Sequence, residues 1–241
     1  MRNPLHLIIA IWLACAGASA NALQLMTEND PPHNMLKNGK VIGLATEKLE
    51  EAFKRAGVTQ RIELMPWARA YRSALTRPDF CVFSTARTPQ RESLFKWIGP
   101  VAAMDWVLYT RADMKKPQRL EEVGNAPIGG YLLDVISVWL ADRGYRVETA
   151  SSDMVNPKKL MLGRIDYWAS SRPRATTLLA KENLAGHIVP ALTFGHTDLY
   201  LACHRSTSTK LVRKLNNALH RMQSDGTATR IEARYANWRA E

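Results

Sequence analysis

The sequence has 241 residues, of which 33 are lysine or arginine and 22 are acidic, so its formal net charge is +11. Such a balance suits an anionic ligand or an anionic membrane face, and it also keeps proteins soluble. The basic residues are scattered rather than gathered into one tract, and the sequence contains no familiar nucleic-acid-binding module. We therefore expect no nucleic-acid partner.

The first twenty residues have the pattern of an export signal. Arg2 precedes a long apolar run, and Ala18-Ser19-Ala20 supplies the small residues that a signal peptidase accepts. We expect residues 1–20 to be removed and the exported chain to begin at Asn21. A second interpretation stays open, in which Cys15 is acylated and anchors the protein to a membrane. No later segment approaches the roughly 18 uncharged apolar residues of a transmembrane helix.

Strand-like and helix-like segments alternate along the rest of the chain, which is typical of an α/β fold. The helix predicted over residues 47–56 is the clearest, because Leu49, Phe53 and Ala56 recur on one face and Gly57 follows as a stop signal. In chain order, the first series of predicted elements comprises strands at residues 23–26, 61–64 and 80–83 and helices at residues 47–56 and 67–75.

A second series of elements follows a strand-like run at residues 106–109. Asp134 precedes an apolar helical segment and is predicted to cap it, and Gly144 closes that helix. The series comprises strands at residues 127–130 and 165–169 and helices at residues 135–142, 156–163 and 174–183. A strand at residues 199–202 then leads into two terminal helices, a long one at about 208–222 and a shorter one ending near Trp238.

The two series predict two lobes of similar size. No Pro/Gly-rich linker separates them, so we expect the chain to cross between the lobes in strands, near Tyr109 and again near Tyr200. The predicted division places residues 21–109 and 199–241 in one lobe and residues 110–198 in the other.

Two cysteines remain after the signal segment, Cys81 and Cys203. In an oxidising compartment they could form a disulfide, or each could be a small buried apolar residue. Both lie in strand-like runs. We expect free, buried thiols.

The most informative stretch runs from Ser84 to Arg91. It lies directly behind a strand-like run, so its hydroxyls and arginines are predicted to emerge at the carboxyl end of a strand, where open α/β sheets bind ligands. A guanidinium binds a carboxylate through two parallel charge-assisted bonds, and hydroxyls such as that of Thr85 can fill the remaining lone pairs. The pattern indicates a site for a small anion. The alternative, that Arg87 and Arg91 are solvated surface charge, stays open at this point.

Several motifs together resemble the type II periplasmic solute-binding proteins of the polar amino-acid transporter group, also called solute-binding protein family 3. The motifs are Ser84-Thr85 with Thr88-Pro89-Gln90-Arg91, Trp97 six residues on, Gly-Arg-Ile-Asp at residues 163–166, and the segment 222–227 with Tyr235 and Trp238 behind it. The resemblance covers nearly the whole mature chain. It implies two α/β lobes joined by two hinge strands, a location in the periplasm, and capture of a small carboxylate-bearing solute by a monomer through hinge closure.

The same resemblance implies a protein partner and a role without catalysis. The closed form would be recognised by an ABC permease, to which the solute is delivered, or by a sensor protein. No catalytic residue, cofactor or metal is implied. The six histidines are scattered one by one, which also argues against a metal site.

The resemblance assigns site residues one by one. Arg91 would bind the carboxylate of the ligand, supported by Ser84, Thr85 and the backbone N–H groups from Thr85 to Arg87. Glu28 matches the place of an acid near the other end of the ligand. Trp67 and Arg69 would line the cleft from the first lobe, although ordinary core packing for Trp67 and surface exposure for Arg69 remain open alternatives.

One position departs from the family pattern. Amino-acid binders of this group usually hold the ammonium of the ligand with an aspartate eight residues past the glycine of Gly-Arg-Ile-Asp, and this chain has Ser171 there. With Arg69, Arg87, Arg172 and Arg174 expected near the cleft, the sequence predicts a carboxylate ligand that lacks an α-ammonium or carries a second acidic group.

An enzyme is the rival interpretation, because the same fold hosts periplasmic dehydratases that act on ring acids. Such chemistry requires a placed general acid, and Glu28 and Asp134 are the candidates, with Asp134 better explained as a helix cap. The sequence contains no Gly-x-Ser-x-Gly elbow, no phosphate-binding glycine loop and no His-Glu-x-x-His.

Overall fold

The computed structural model describes residues 22–236 and Trp238, so the predicted signal segment, residues 1–20, and Cys15 lie outside the described residues. The strands are β1 (Leu23–Thr27), β2 (Met35–Lys37), β3 (Lys40–Ile42), β4 (Gln60–Leu64), β5 (Phe80–Ala86), β6 (Phe95–Arg111), β7 (Ile128–Tyr131), β8 (Val147–Ala150), β9 (Tyr167–Ser171) and β10 (Ile188–His204). The helices are α1 (Leu44–Ala56), α2 (Trp67–Thr76), α3 (Pro89–Glu92), α4 (Val135–Ala141), α5 (Asn156–Met161), α6 (Arg172–Lys181), α7 (Thr209–Ser224) and α8 (Thr227–Tyr235). Within the described part, no helix combines the length and apolar character needed to cross a membrane.

The strands except β2 and β3 form one sheet in the order β4-β1-β5-β10-β6-β9-β7-β8. At one end, β1, β4 and β5 are parallel and together with α1, α2, α7 and α8 make up what we term the first lobe. At the other end, β7, β8 and β9 are parallel and with α4, α5 and α6 make up the second lobe. The predicted α/β fold of two lobes is confirmed.

The two lobes are joined by the antiparallel pair β6 and β10. Each strand has 17 residues, and they pair from Ile188 opposite Arg111 to His204 opposite Phe95. One end of β10 pairs with β5 of the first lobe, and one end of β6 pairs with β9 of the second lobe. The division predicted at residues 109 and 198 falls inside these two strands, and the exact boundaries stay a prediction.

Alternation along the strands of the first lobe explains its two helical layers. Leu25 of β1 and Phe83 of β5 pack with α1 and α7 on one face of the sheet. Their neighbours Met26 and Val82 point to the other face, where Trp67 of α2 packs against them. This second layer places Trp67 beside the carboxyl ends of β1 and β5.

The second lobe is built around Trp168 of β9, which is fully buried. Leu160 of α5 and Ala175 and Leu179 of α6 pack against it. Its buried indole N–H has a hydrogen-bond partner, because Nε1 donates to a carboxylate oxygen of Asp153 at 2.9 Å. The packing of α6 on β9 fixes the position of the first turn of that helix, which faces the first lobe.

Most predicted elements are confirmed within a few residues. The hairpin of β2 and β3 and the strand β8 were not predicted, and β6 and β10 are far longer than the predicted runs at residues 106–109 and 199–202. Gly99-Pro100 in β6 and Pro190 and Gly195 in β10 interrupt the apolar pattern of a strand. The pairing of β6 with β10, with register shifts next to these residues, keeps the segments extended, and such pairing is not visible in a local pattern.

The expectation of free thiols is wrong, because Cys81 and Cys203 form a disulfide. The two residues lie directly opposite each other in the antiparallel pair of β5 and β10, with their Cα atoms 3.9 Å apart, and both are buried. They are 122 residues apart in the sequence, so only the pairing of the strands reveals the bond.

We predict that the disulfide stabilises the first lobe substantially. It closes a loop of 122 residues, and cross-links over long loops remove much of the entropy of the unfolded chain. Replacing both cysteines by alanine should lower the free energy of unfolding by about 2–4 kcal/mol. Urea unfolding measures this loss, and a reductant should destabilise the wild type but not the double variant. Equal stability of wild type and double variant would contradict the prediction.

Candidate functional site

Four strand ends converge between the lobes. Glu28 follows β1, and the segment from Ser84 to Arg91 includes the end of β5 and leads into α3, both in the first lobe. The turn at residues 132–134 follows β7, and α6 follows β9, both in the second lobe. Because β1 is parallel to β5 and β7 to β9, each lobe presents carboxyl ends of strands to the space between the lobes, which we term the cleft.

Arg91 is buried at the wall of this cleft, with 8% of its surface exposed. Its Nη1 donates to the carbonyl of Ala86 at 3.3 Å, and its Nη2 donates to the carbonyl of Leu133 at 2.8 Å. The guanidinium lies 5.1 Å from the ring centre of Tyr71 and 5.8 Å from that of Trp67. Among the residues that the structure describes, no carboxylate forms an ion pair with it. Burial lowers the pKa of Arg91 more than Tyr71 and Asp134 raise it, so this cation has lost water without forming an ion pair within the described residues.

The carbonyl of Leu133 bridges the lobes. It accepts hydrogen bonds from Nη2 of Arg91 and, at 3.2 Å, from Nε1 of Trp67, both of which belong to the first lobe. Leu133 has a φ of 62°, a left-handed conformation that a leucine seldom adopts. At the site predicted for a ligand carboxylate, Arg91 and Trp67 of the first lobe therefore both donate to a backbone oxygen of the second lobe.

Arg174 lies at the centre of a cluster of carboxylates. Its Nη2 contacts Glu28 at 2.7 Å, its Nε contacts Asp30 at 3.1 Å and its Nη1 contacts Asp134 at 3.3 Å. The guanidinium also lies 5.4 Å from the ring centre of Tyr131. Each of its three nitrogens thus faces a different acid, and its contacts with Glu28 and Asp30 cross the cleft.

The charges of this cluster do not balance, since one guanidinium faces three carboxylates. Burial raises the pKa of Glu28 to about 7, against the opposing attraction of Arg174 and with further repulsion from Asp30 and Asp134. Asp30 is more deeply buried than Glu28, yet Arg174 and a hydrogen bond from His33 lower its pKa to about 2. Glu28 is therefore the member of this cluster with a pKa near neutral pH.

The hydroxyl groups of Ser84 and Thr85, predicted to support a ligand, donate hydrogen bonds to other groups of the protein. Ser84 has a φ of 57°, lines the centre of the cleft and donates its Oγ hydrogen to Asn34. The hydroxyl of Thr85 is buried and donates to the carbonyl of Val82 at 3.1 Å. Ser84 thus lies where it was predicted, whereas the Thr85 hydroxyl supports the end of β5.

Two arginines predicted at the cleft are differently placed. Arg87 lies at its edge, where it forms a bidentate pair with Glu92 at 2.6 and 2.7 Å. Arg69 is exposed on α2 and lines none of the cavities described below. It lies two residues after Trp67, and two residues are about 200° around a helix, so the helix that turns Trp67 inward turns Arg69 outward.

Ser171 does not reach into the cleft. It is buried and caps α6, where its Oγ accepts a hydrogen bond from the backbone N–H of Arg174 at 3.3 Å. A buried carboxylate does lie beside this strand, since Asp153 accepts hydrogen bonds from Asn156, Trp168 and Ser170. Asp134 caps α4 as predicted, with Oδ1 accepting from the N–H of Ile136 at 2.9 Å.

The space between the lobes is unevenly distributed. At the centre, between Glu28, Arg91, Asp134 and Arg174, only about 20 Å³ is open. On the Arg91 side lies a cavity of about 510 Å³, which we term the apolar chamber. Its walls include Tyr71 and Leu94 from the first lobe, Trp106 from β6, and Leu133, Val138 and Trp139 from the second lobe. Its size is typical of pockets for small molecules, which enclose roughly 300–1,000 Å³.

A comparison with known protein families identifies the family of this chain. The model of the bacterial extracellular solute-binding proteins, family 3, matches residues 23–237. The chain belongs to that family. The resemblance inferred from Ser84-Thr85, Arg91 and the later motifs is thereby confirmed. No curated protein sequence matches this family 3 protein.

Solved structures share the fold of this solute-binding protein. A histidine kinase sensor domain with similarity to periplasmic binding proteins superimposes with a TM-score of 0.82 at 16% identity, covering 92% of this chain and 98% of the other. The P235GK mutant of ArgBP from T. maritima gives 0.76 at 18% identity, covering 90% and 96%. The arginine-, lysine-, histidine-binding protein ArtJ from Geobacillus stearothermophilus gives 0.75 at 15% identity, covering 91% and 97%. At these identities the likeness establishes the fold.

Several residues of the cleft escaped the sequence analysis. Asp30, Tyr71, Tyr131, Leu133 and Trp139 line the cleft or its chamber, and none of them was predicted to do so. Asp30 stands two residues after Glu28 at the end of a predicted strand, so its position carried a usable signal. Leu133 acts through its backbone carbonyl, and no side-chain pattern could have indicated that contact.

The raised pKa of Glu28 predicts a pH dependence of stability. Its folded value of about 7 lies above the ordinary 4.5, so the folded protein retains a proton that the unfolded chain releases between these values. The contribution of Glu28 to the free energy of unfolding is therefore present at low pH and is lost as pH rises through about 7. Glu28→Gln cannot titrate, and it should lose less stability than the wild type between about pH 5 and pH 7.5.

Urea unfolding of both proteins at the two pH values tests this prediction. Glu63→Gln is the matched control, because Glu63 is exposed on β4, and this variant should follow the wild type. The same loss of stability in Glu28→Gln as in the wild type would show that Glu28 is not the titrating group.

Proposed function

We propose that this family 3 protein captures a small carboxylate-bearing solute between its lobes by hinge closure in the periplasm and presents the closed form to a membrane partner. The observation that carries the proposal is Arg91, a buried cation at the cleft with no carboxylate partner among the described residues. A buried charge is costly unless it is paired, and a carboxylate of the solute supplies the missing anion.

Contacts across the cleft support closure as the binding movement. Arg91 and Trp67 of the first lobe reach the same carbonyl, that of Leu133 in the second lobe. A solute carboxylate bound to Arg91 would take over this acceptor role, and its remaining atoms would touch both lobes only when they are together. A ligand with more contacts in the closed form shifts the equilibrium toward that form.

The apolar chamber supplies room for the body of the solute. Arg91 lies on the boundary between the narrow centre and this chamber, so a carboxylate at Arg91 can direct an attached chain or ring toward Tyr71, Val138 and Trp139. The centre, with about 20 Å³, holds nothing larger than a water molecule. The proposed solute is therefore an organic acid with an apolar body.

Two features of the cleft support a solute that has no ammonium group. Ser171 carries no charge and is occupied as a helix cap, and Asp153 is engaged by Asn156, Trp168 and Ser170. ArgBP and ArtJ, by their names, bind arginine or other basic amino acids. In this chain Glu28, Asp30 and Asp134 are already paired with Arg174, so we do not extend that specificity to it.

The partner is proposed to be an ABC permease, to which the solute is delivered. A sensor protein is the second candidate, because a histidine kinase sensor domain is among the structures that share the fold over nearly the full chain. We propose no catalytic role. Asp134, one of the two candidate acids, caps α4 and pairs with Arg174, and Glu28 is held by the same guanidinium.

Arg91 should be essential for binding. The mature protein is screened by thermal shift against keto acids, aromatic acids, dicarboxylates and amino acids, and a bound solute should raise the melting temperature. Arg91→Ala should weaken the best solute by roughly 100-fold or more, because two charge-assisted hydrogen bonds are lost. Arg72→Ala is the matched control, since Arg72 is exposed on α2. A solute that binds Arg91→Ala as tightly as the wild type would refute the assignment.

Filling the apolar chamber should discriminate between solutes by size. Val138→Trp places a large ring in the chamber wall, so acids with a bulky apolar body should lose at least tenfold in affinity while short acids such as propionate are little affected. Leu162→Trp is the control, since Leu162 is exposed away from the chamber. Calorimetric titration measures both. An equal loss for short and bulky acids would place the solute body elsewhere.

A further inference from the structure

Arg174 is a second buried arginine of the cleft, and the proposed function gives it no task. It differs from Arg91 in its surroundings, because Arg174 contacts three carboxylates and Arg91 contacts none within the described residues. The side chain of Arg174 is 12% exposed. The same cleft therefore contains a complete cation site formed by both lobes, and the occupant of that site is part of the chain.

The carboxylates form this site around the guanidinium of Arg174. Glu28, Asp30 and Asp134 each face a different nitrogen, and the ring of Tyr131 lies beside the plane. This is the donor set that a free guanidinium ligand would require, namely separate acceptors for its nitrogens and an aromatic surface nearby. The acids have few lone pairs to spare, since His33 also contacts Asp30 and the N–H of Ile136 also contacts Asp134.

The charged groups around Arg174 come from both lobes, and this bears on whether a cationic group of a solute can bind there. Glu28 and Asp30 belong to the first lobe, whereas Arg174 projects from the first turn of α6 in the second lobe. When the lobes are together, Arg174 lies in front of these acids, and about 20 Å³ remains at the centre of the cleft. A separate cavity of about 430 Å³ is also lined by Glu28, Tyr131 and Arg174. A cationic group of a solute that reached this cavity would find Glu28, Asp30 and Asp134 already paired with Arg174.

We propose that Arg174 occupies the cation subsite of the cleft with the protein's own guanidinium, and that the protein therefore selects solutes that carry no cationic group. The statement on solutes rests on the proposed function, whereas the occupancy of the subsite stands on the geometry of Arg174 alone. The remaining acids also disfavour a second carboxylate at this end of the solute. Of the two solute types left open by the sequence, the structure supports the one without a cationic group.

Removing the side chain tests the occupancy directly. Arg174→Ala should expose an anionic site, and methylguanidinium, which has no carboxylate and makes no use of Arg91, should bind there and raise the melting temperature of the variant above that in NaCl of equal concentration. The wild type should show no such rise. Arg172→Ala is the matched control, because Arg172 neighbours Arg174 on α6 but is half exposed and contacts Thr193.

The specificity is tested with L-arginine and L-citrulline, which have the same shape but differ in the charge of the terminal group. Arg174→Ala should bind arginine at least about tenfold more tightly than citrulline, because charge-assisted bonds replace neutral ones. The wild type should show no preference for arginine. If the alanine variant does not fold, Arg174→Met keeps the apolar stem and takes its place.

The outcomes separate the two proposals. The inference would be overturned if methylguanidinium stabilised the wild type more than NaCl does. It would also be overturned if methylguanidinium failed to stabilise a folded Arg174 variant. Methylguanidinium binding by the variant, without any carboxylate that depends on Arg91, would support the occupied cation subsite and refute the proposed function. Carboxylate binding through Arg91 together with tight binding of arginine by the wild type would retain the proposed function and overturn the inference.

Discussion

The pairing of β6 with β10 is the constraint on which the rest of the structure depends. These two strands of 17 residues pass through both lobes, so they set the distance and the angle at which the carboxyl ends of β1 and β5 face those of β7 and β9. The pair tolerates Gly99, Pro190 and Gly195 because its register shifts at an irregularity next to each of them. The disulfide between Cys81 and Cys203 joins the same β10 to the first lobe.

Within this frame, two buried arginines have opposite roles because their surroundings differ in charge. Arg91 lies beside Trp67 and Tyr71 and donates to backbone carbonyls, and no carboxylate of the described residues forms an ion pair with it. Arg174 is equally enclosed but faces an excess of carboxylates, so it neutralises charge that a cation from solution would otherwise neutralise. The cleft thus contains one arginine that pairs with no described carboxylate and another that contacts three of them.

Local patterns predicted most of the fold and part of the site. Amphipathic spacing indicated α1, a capping aspartate indicated α4, and the position of Arg91 behind a strand indicated an anion site, because each of these signals lies within a few residues of sequence. Arg69 was misplaced although its element was correct, since the face it occupies depends on how α2 packs on the sheet. The free thiols were a wrong expectation for a related reason, as the register of β5 against β10 joins residues 122 positions apart.

The sequence by itself determined the family, the alternation of strands and helices, and the position of Arg91 closely behind a strand, because these properties depend on short motifs and their order. That the guanidinium of Arg91 is buried was decided by the tertiary structure. Only the tertiary structure decided which charges meet. Glu28, Asp30, Asp134 and Arg174 come from three separate segments of the chain and from two lobes, and their pairing follows from the sheet that brings strand ends together. Electrostatic interaction depends on distance in space and on the exclusion of water, and neither quantity is encoded locally in the sequence.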